Sequence, residues 1–143
     1  MLYKKYLDKL KECPFCDIKK QEIIFQNKGA ILTLAKAPYT KDHLIVFPKK
    51  HYLKFNAMTK QEQKNILELV QKGFKKIHKK YQNISVLYRE GDMKEIGKSI
   101  KHLHIHLIPK MQIGSRNIKW KERGVYSERK YLKEINKLRK DFK

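Results

Sequence analysis

The chain is short of several things, and each shortage excludes a class of protein. Its 143 residues hold two cysteines, Cys13 and Cys16, too few for the disulfide framework of a small secreted domain. In a reducing compartment, such a C-x-x-C pair points instead to metal binding or catalysis. No apolar run approaches the roughly 20 residues that span a bilayer. The opening MLYKKYLDKL carries charges where a signal peptide has its apolar centre. A soluble, cytoplasmic protein without a membrane partner is therefore expected. Repeats and low-complexity linkers are absent, and a 41% hydrophobic content is enough for one continuous core, so residues 1–143 read as one domain.

Negative charge is also scarce. Thirty-five Lys and Arg face 14 Asp and Glu, a net charge of +21 that attracts polyanions such as nucleic acid or nucleotide phosphates. Yet the lysines run from Lys4 to Lys143, as a lysine-biased surface composition alone would also produce. The basic C-terminal extension 110–143 interleaves Trp120, Tyr126 and Tyr131 with Lys and Arg. It is the best candidate for a nucleic-acid face, but a solvated amphipathic helix explains most of it.

What is present reads as an α+β domain, an antiparallel sheet with packed helices. YLDKLKE forms a helical start. AILTLA (30–35) and HLIVF (43–47) read as strands around a turn at Pro38, and NISVLYRE (83–90) as another. In MTKQEQKNILELVQKGFKKIHKKY, Thr59 and Glu62 make a capping box, and Ile66, Val70, Phe74, Ile77 and Tyr81 keep helical spacing, which predicts a helix over 60–80. His78, near its end, is structural. After a polar loop, IKHLHIHLIP (100–109) reads as a strand. A last helix covers 127–142, with Tyr131, Leu132, Ile135, Leu138 and Phe142 inward.

HLHIHLI carries the chemistry. On a strand, His102, His104 and His106 point to one face while Leu103, Ile105 and Leu107 point to the other. Such a row suits a metal cluster, a proton-transfer site, or a nucleophilic histidine with neighbours that orient it. Lys98 and Ser99, in the glycine-bordered loop just before it, favour the last, since an ammonium and a hydroxyl there would meet phosphate oxygens.

The pattern His-φ-His-φ-His-φ-φ, with φ apolar, resembles the signature of the histidine triad (HIT) family of nucleotidyl hydrolases and transferases. APYTKDHLIVFPKKH, CPFCDI and GKSIKHLHIH resemble further segments of that family, so the likeness covers residues 13–109. The resemblance implies that His104 attacks the α-phosphorus and forms a nucleotidyl-histidine. His106 and His43 would flank it, and Ser99, Lys98 and Arg89 would lie along the nucleotide. His106 stands where related transferases carry Gln, which tilts the expectation toward hydrolysis. The expected substrate is a dinucleoside polyphosphate or nucleoside phosphoramidate. The alternatives are adenylated nucleic-acid ends, or nucleotide binding without catalysis. Ala35 replaces a common ribose-binding acid or amide, and Arg89 a common Asn.

The resemblance also bears on CPFC. A glutaredoxin-like dithiol would open a helix after a strand, whereas these cysteines follow a helical start. Zinc-bearing relatives join the knuckle to the residues matching His51 and His102, which implies a structural zinc on Cys13, Cys16, His51 and His102. A homodimer is the implied assembly.

Overall fold

A computed structural model describes residues 1–96, 99–111 and 123–142. Five strands make one antiparallel sheet: β1 (Phe25–Gln26), β2 (Ala30–Leu34), β3 (Leu44–Pro48), β4 (Ile84–Tyr88) and β5 (Ile105–Pro109), in the order β1-β2-β3-β5-β4. The helices are α1 (Tyr3–Lys9), α2 (Lys60–His78), the single turn α3 (Met93–Ile96) and α4 (Glu128–Arg139), with a 3-10 turn over Lys140–Phe142. This is the expected α+β arrangement of an antiparallel sheet and packed helices.

Local chemistry sets the ends of α2. Thr59 Oγ accepts from the Glu62 N–H and the Glu62 carboxylate accepts from the Thr59 N–H, both at 3.1 Å, so the capping box forms. Tyr52 donates its hydroxyl to the same carboxylate at 2.7 Å, tying the cap to the segment after β3. Ile66, Leu69, Val70 and Ile77 bury their side chains against β2, β3 and β5. Gly73 lets the helix approach the sheet closely, because a Cβ there would run into Leu107 Cδ1. Tyr81 caps this face and donates to Asp42 at 2.6 Å. Asp42 adopts a left-handed φ of 65°, and it closes the turn that delivers His43 to the head of β3.

α4 starts at its Ser127 cap, which accepts from the Lys130 N–H at 3.3 Å, and packs Tyr131, Ile135 and Leu138 into the same core. Tyr131 donates to the Leu34 carbonyl at 2.6 Å. Tyr131, Ile135 and Leu138 thus face inward as their helical spacing predicts, and Tyr131 is not available to a nucleic-acid face. Tyr131 is buried and Tyr126 packs against the core, because the helix needs an apolar face more than the surface needs rings. Trp120 lies outside the described residues.

The histidine segment also departs from expectation. Its strand begins only at Ile105. Before that, the His102 N–H turns back to the Ile100 carbonyl (2.9 Å) and the Leu103 N–H bonds the Tyr52 carbonyl (2.7 Å), so residues 100–104 belong to no ladder. Leu103, Ile105 and Leu107 still enter the core. The three histidines, however, do not form one flat row, and the irregular backbone sends them to different neighbours.

Candidate active site and metal centre

His43, at the turn before β3, and His106, on β5, meet because β3 and β5 are adjacent, with Ile45 opposite His106. The Tyr39 N–H donates to His43 Nδ1 at 3.1 Å, which leaves the ring proton on Nε2. That Nε2–H then donates to His106 Nδ1 at 2.9 Å. The proton of His106 is thereby placed on Nε2, a buried atom with no partner among the described residues. A buried donor without an acceptor costs about 1–3 kcal/mol, so this N–H stands ready for an oxygen that a ligand brings.

His104 takes the opposite tautomeric constraint. Its Nδ1–H donates to the His102 carbonyl at 2.6 Å, which leaves the Nε2 lone pair free of a proton. Ser99 Oγ lies 3.3 Å from that Nε2. The His104 and His106 rings are 4.7 Å apart, so a lone pair and an N–H donor stand side by side at the end of β5.

Burial keeps all of these rings neutral. Desolvation first, then the Arg123 and His104 charges, press His43 down to about 3. Desolvation, opposed by the bond to the His102 carbonyl, presses His104 down to about 4. Desolvation, with His104, His43, Arg89 and Arg123 nearby, holds His106 well below the usual range. A neutral His104 at pH 7 has its lone pair available. The same shifts bear on stability: the unfolded chain takes up these protons from 6.5 downward and the folded chain does not. Stability is therefore complete above that value and lost as pH falls toward the folded values, roughly 2–3 kcal/mol at pH 4.5 from His43 alone. The unfolding midpoint should drop steadily between pH 6.5 and 4.5, and the drop should shrink in His43→Gln.

Two spaces flank the pair. A cavity of about 360 Å³ opens on one side, lined by Leu53, Arg89, Asp92, Ser99, His104 and His106 among others. Arg89 lines this cavity together with His104 and His106, and Lys98 lies outside the described residues. Glu90, which also borders this cavity, accepts from the Phe55 N–H and the Tyr88 hydroxyl, both at 2.7 Å. On the other side is a chamber of only about 40 Å³, bounded by Phe15, Ala35, His43, His104, His106 and Arg123 among others. Nothing in the sequence distinguishes Arg123 from the basic residues around it. Its guanidinium lies 3.9 Å from the Tyr39 ring centre and 4.4 Å from that of Tyr3, and donates to the Ala37 carbonyl at 2.8 Å.

His102 turns the other way. Its Nε2–H donates to the Pro48 carbonyl at 2.8 Å, which directs the Nδ1 lone pair at the cysteines. Nδ1 lies 3.4 Å from Cys13 Sγ, 3.6 Å from Cys16 Sγ and 3.2 Å from His51 Nδ1, and Cys16 Sγ is 3.3 Å from His51 Nδ1. A tetrahedron built on metal–N and metal–S bonds of ordinary length has N–N and N–S edges of about 3.3–3.6 Å. These four donors, all within 4.8 Å of one another, therefore fit one tetrahedral ion. Desolvation, with Cys13 and Asp17 adding to it, pushes the Cys16 thiol up to about 11, the reverse of the lowered thiol that redox exchange requires. Phe15, between the two cysteines, stacks on Phe47 at 4.3 Å and sets its edge against both His102 and His104.

The family model described as the HIT domain matches residues 18–113. The chain belongs to the HIT family. Among its relatives, a HIT-like protein of Methanocaldococcus jannaschii is 28% identical over 128 residues, covering 86% of this chain and 98% of the relative. The adenosine 5'-monophosphoramidase of Schizosaccharomyces pombe is 32% identical over 102 residues, covering 68% of this chain and 74% of that enzyme. In three dimensions the HIT protein superposes on a zinc-bound histidine triad family protein of Mycobacterium smegmatis with a TM-score of 0.60, at 15% identity, covering 92% of this chain and 95% of that one. No helix among the described residues is long and apolar enough to cross a membrane. At a coarse level, the family and its hydrolase-named relatives support a nucleotide hydrolase.

Proposed function

We propose that this HIT protein hydrolyses nucleotides at the α-phosphate through a nucleotidyl-His104 intermediate. The observation that carries the reading is the pair of fixed tautomers: a bare Nε2 on His104 beside an unpartnered Nε2–H on His106. One is a nucleophile and the other a donor for the charge that grows on a phosphoryl oxygen. The His104 Nε2–phosphorus bond forms as the bond to the leaving amine or phosphate breaks. Water then cleaves the N–P bond, returning the neutral imidazole and releasing the nucleoside monophosphate. His43 holds the His106 tautomer through the 2.9 Å bond, and Ser99 contacts the reacting phosphoryl group from the cavity side.

The substrate class we infer is an adenylyl compound, either a nucleoside phosphoramidate or a dinucleoside polyphosphate. The phosphoramidase relative supports the first, and Arg89 beside the open cavity supports an anionic leaving group. The four clustered donors suit a structural zinc, which when bound supplies a rigid anchor rather than chemistry. The outer strand β4 exposes Val86 and Tyr88, which supports pairing of two copies, and sedimentation velocity is the check. The reading is tested by incubation with adenosine 5'-phosphoramidate and with diadenosine polyphosphates carrying a labelled α-phosphate. Release of AMP, with label trapped on His104 after a rapid acid-free quench, is expected. No release from either compound sinks it.

A further inference from the structure

The chamber beside the triad is closed by the first residues of the chain and by the segment just before α4. Residue 2 and residue 124 form a β-bridge, fastened by the Tyr3 N–H to the Arg123 carbonyl and the Val125 N–H to the Met1 carbonyl, both 2.8 Å. The Tyr126 N–H secures the same segment to the Lys36 carbonyl at 2.9 Å, beside the end of β2. This clasp lays Tyr3, Tyr6 and Arg123 over the space bounded by Ala35 and Ile45, and leaves about 40 Å³. That is room for a water or two, against roughly 300–1,000 Å³ for small-molecule sites. Ala35, at the position given to ribose contact, faces this chamber.

The side chains at the latch are those an anion would use. The Arg123 guanidinium is held between Tyr3 and Tyr39, as a planar cation between two aromatic faces. Tyr3 also stands close to Ser99, the residue whose Oγ reaches His104. Tyr3 therefore lies beside both Ser99 and Arg123, two groups able to donate to a phosphoryl oxygen.

We propose that the clasp of residues 1–6 and 123–126 gates the nucleoside side of the active site, with Arg123 as its latch, so that the closed form described here excludes the nucleoside and the open form admits it. The inference rests on the nucleotide reading above and deepens it: a substrate must displace Tyr3 from Ser99 and lift the clasp before His104 can reach phosphorus. Affinity is then reduced by the fraction of molecules that stand open.

The bridge gives a direct test. The bonding pattern makes Leu2 and Gly124 a non-hydrogen-bonded antiparallel pair, whose Cα atoms stand about 4.5 Å apart, within disulfide range. A Cβ on Gly124 meets nothing within 4 Å, so a cysteine fits there. The Leu2→Cys/Gly124→Cys variant is oxidised with glutathione disulfide beside identically treated wild type, and AMP affinity is measured by calorimetry before and after reduction with dithiothreitol. The locked form should bind AMP at least roughly 10-fold more weakly than the reduced form, with a matching fall in kcat/KM. Equal affinity of locked and reduced forms overturns the gate. Arg123→Ala, which unlatches without a cross-link, should bind AMP more tightly than wild type. Weaker binding there would make Arg123 a phosphate ligand and also overturn the gate. A reduced form that binds AMP but turns nothing over rejects the hydrolase reading and leaves the gate standing, whereas no AMP binding in either form rejects both.

Discussion

His104→Ala is expected to lower kcat/KM for an adenylyl substrate by roughly four to six orders of magnitude, the scale on which removal of a covalent nucleophile acts. The unfolding midpoint should move little, because His104 is only half-buried and its main aromatic neighbour, Phe15, keeps its stack on Phe47. His106→Ala should cost less, roughly 10²–10³ in kcat, since it removes one oxyanion donor and leaves the nucleophile in place. Its stability should fall by about 1–3 kcal/mol, because the substitution deletes one orphaned N–H but leaves the buried His43 Nε2–H without its acceptor and opens a cavity beside it. Rapid-quench kinetics and calorimetric unfolding on the same preparations check both. The order matters as much as the size: equal losses from His104→Ala and His106→Ala, or a residual kcat near wild type in His104→Ala, would remove the nucleophile assignment.

Much of this architecture is legible locally. The Thr59–Glu62 box, the helical spacing through Tyr81 and the strands on either side of Pro38 are written in neighbouring residues, and the elements form where those residues put them. The histidine strand starts five residues later than its alternation predicts. Its pairing partner at Leu103 is the Tyr52 carbonyl, 51 positions back, and no alternation of apolar residues encodes that bond. The roles of His104 and His106 depend on tautomers set by a backbone carbonyl and a backbone N–H, which carry no residue signature. Arg123 was invisible for a different reason. It meets Tyr3 across 120 positions in a stretch whose lysines and arginines look alike, so only the folded chain singles it out as a cation that, like Arg89, lies near the triad. CPFC, by contrast, was readable as a metal knuckle through its likeness to relatives, since spacing alone leaves its other two ligands open.

Removal of the metal is expected to have the other large effect. Protein purified without a histidine tag should carry about one zinc per chain, and a strong chelator should lower the unfolding midpoint by about 10–20 °C, equivalent to some 3–5 kcal/mol. Without an ion, Cys13, Cys16, His51 and His102, whose donor atoms lie within 4.8 Å of one another, share no bond that ties them together, and the half-buried knuckle should come free. Activity should fall as well, by roughly 10–100-fold, although the ion touches no substrate. The link is His102. Its side chain faces the cysteines while its carbonyl holds His104 Nδ1 at 2.6 Å, so a loosened His102 lets the nucleophile rotate and lose its tautomer. Phe15 couples the two sites a second time, through its edge on both rings. The loss should therefore appear in kcat more than in KM, and added zinc should restore it. Cobalt, taken up in its place, should give the intense near-ultraviolet absorption of thiolate ligation only while both cysteines are present. Elemental analysis without zinc, together with a midpoint that ignores the chelator, would leave Cys13 and Cys16 as packing residues and confine the coupling to Phe15.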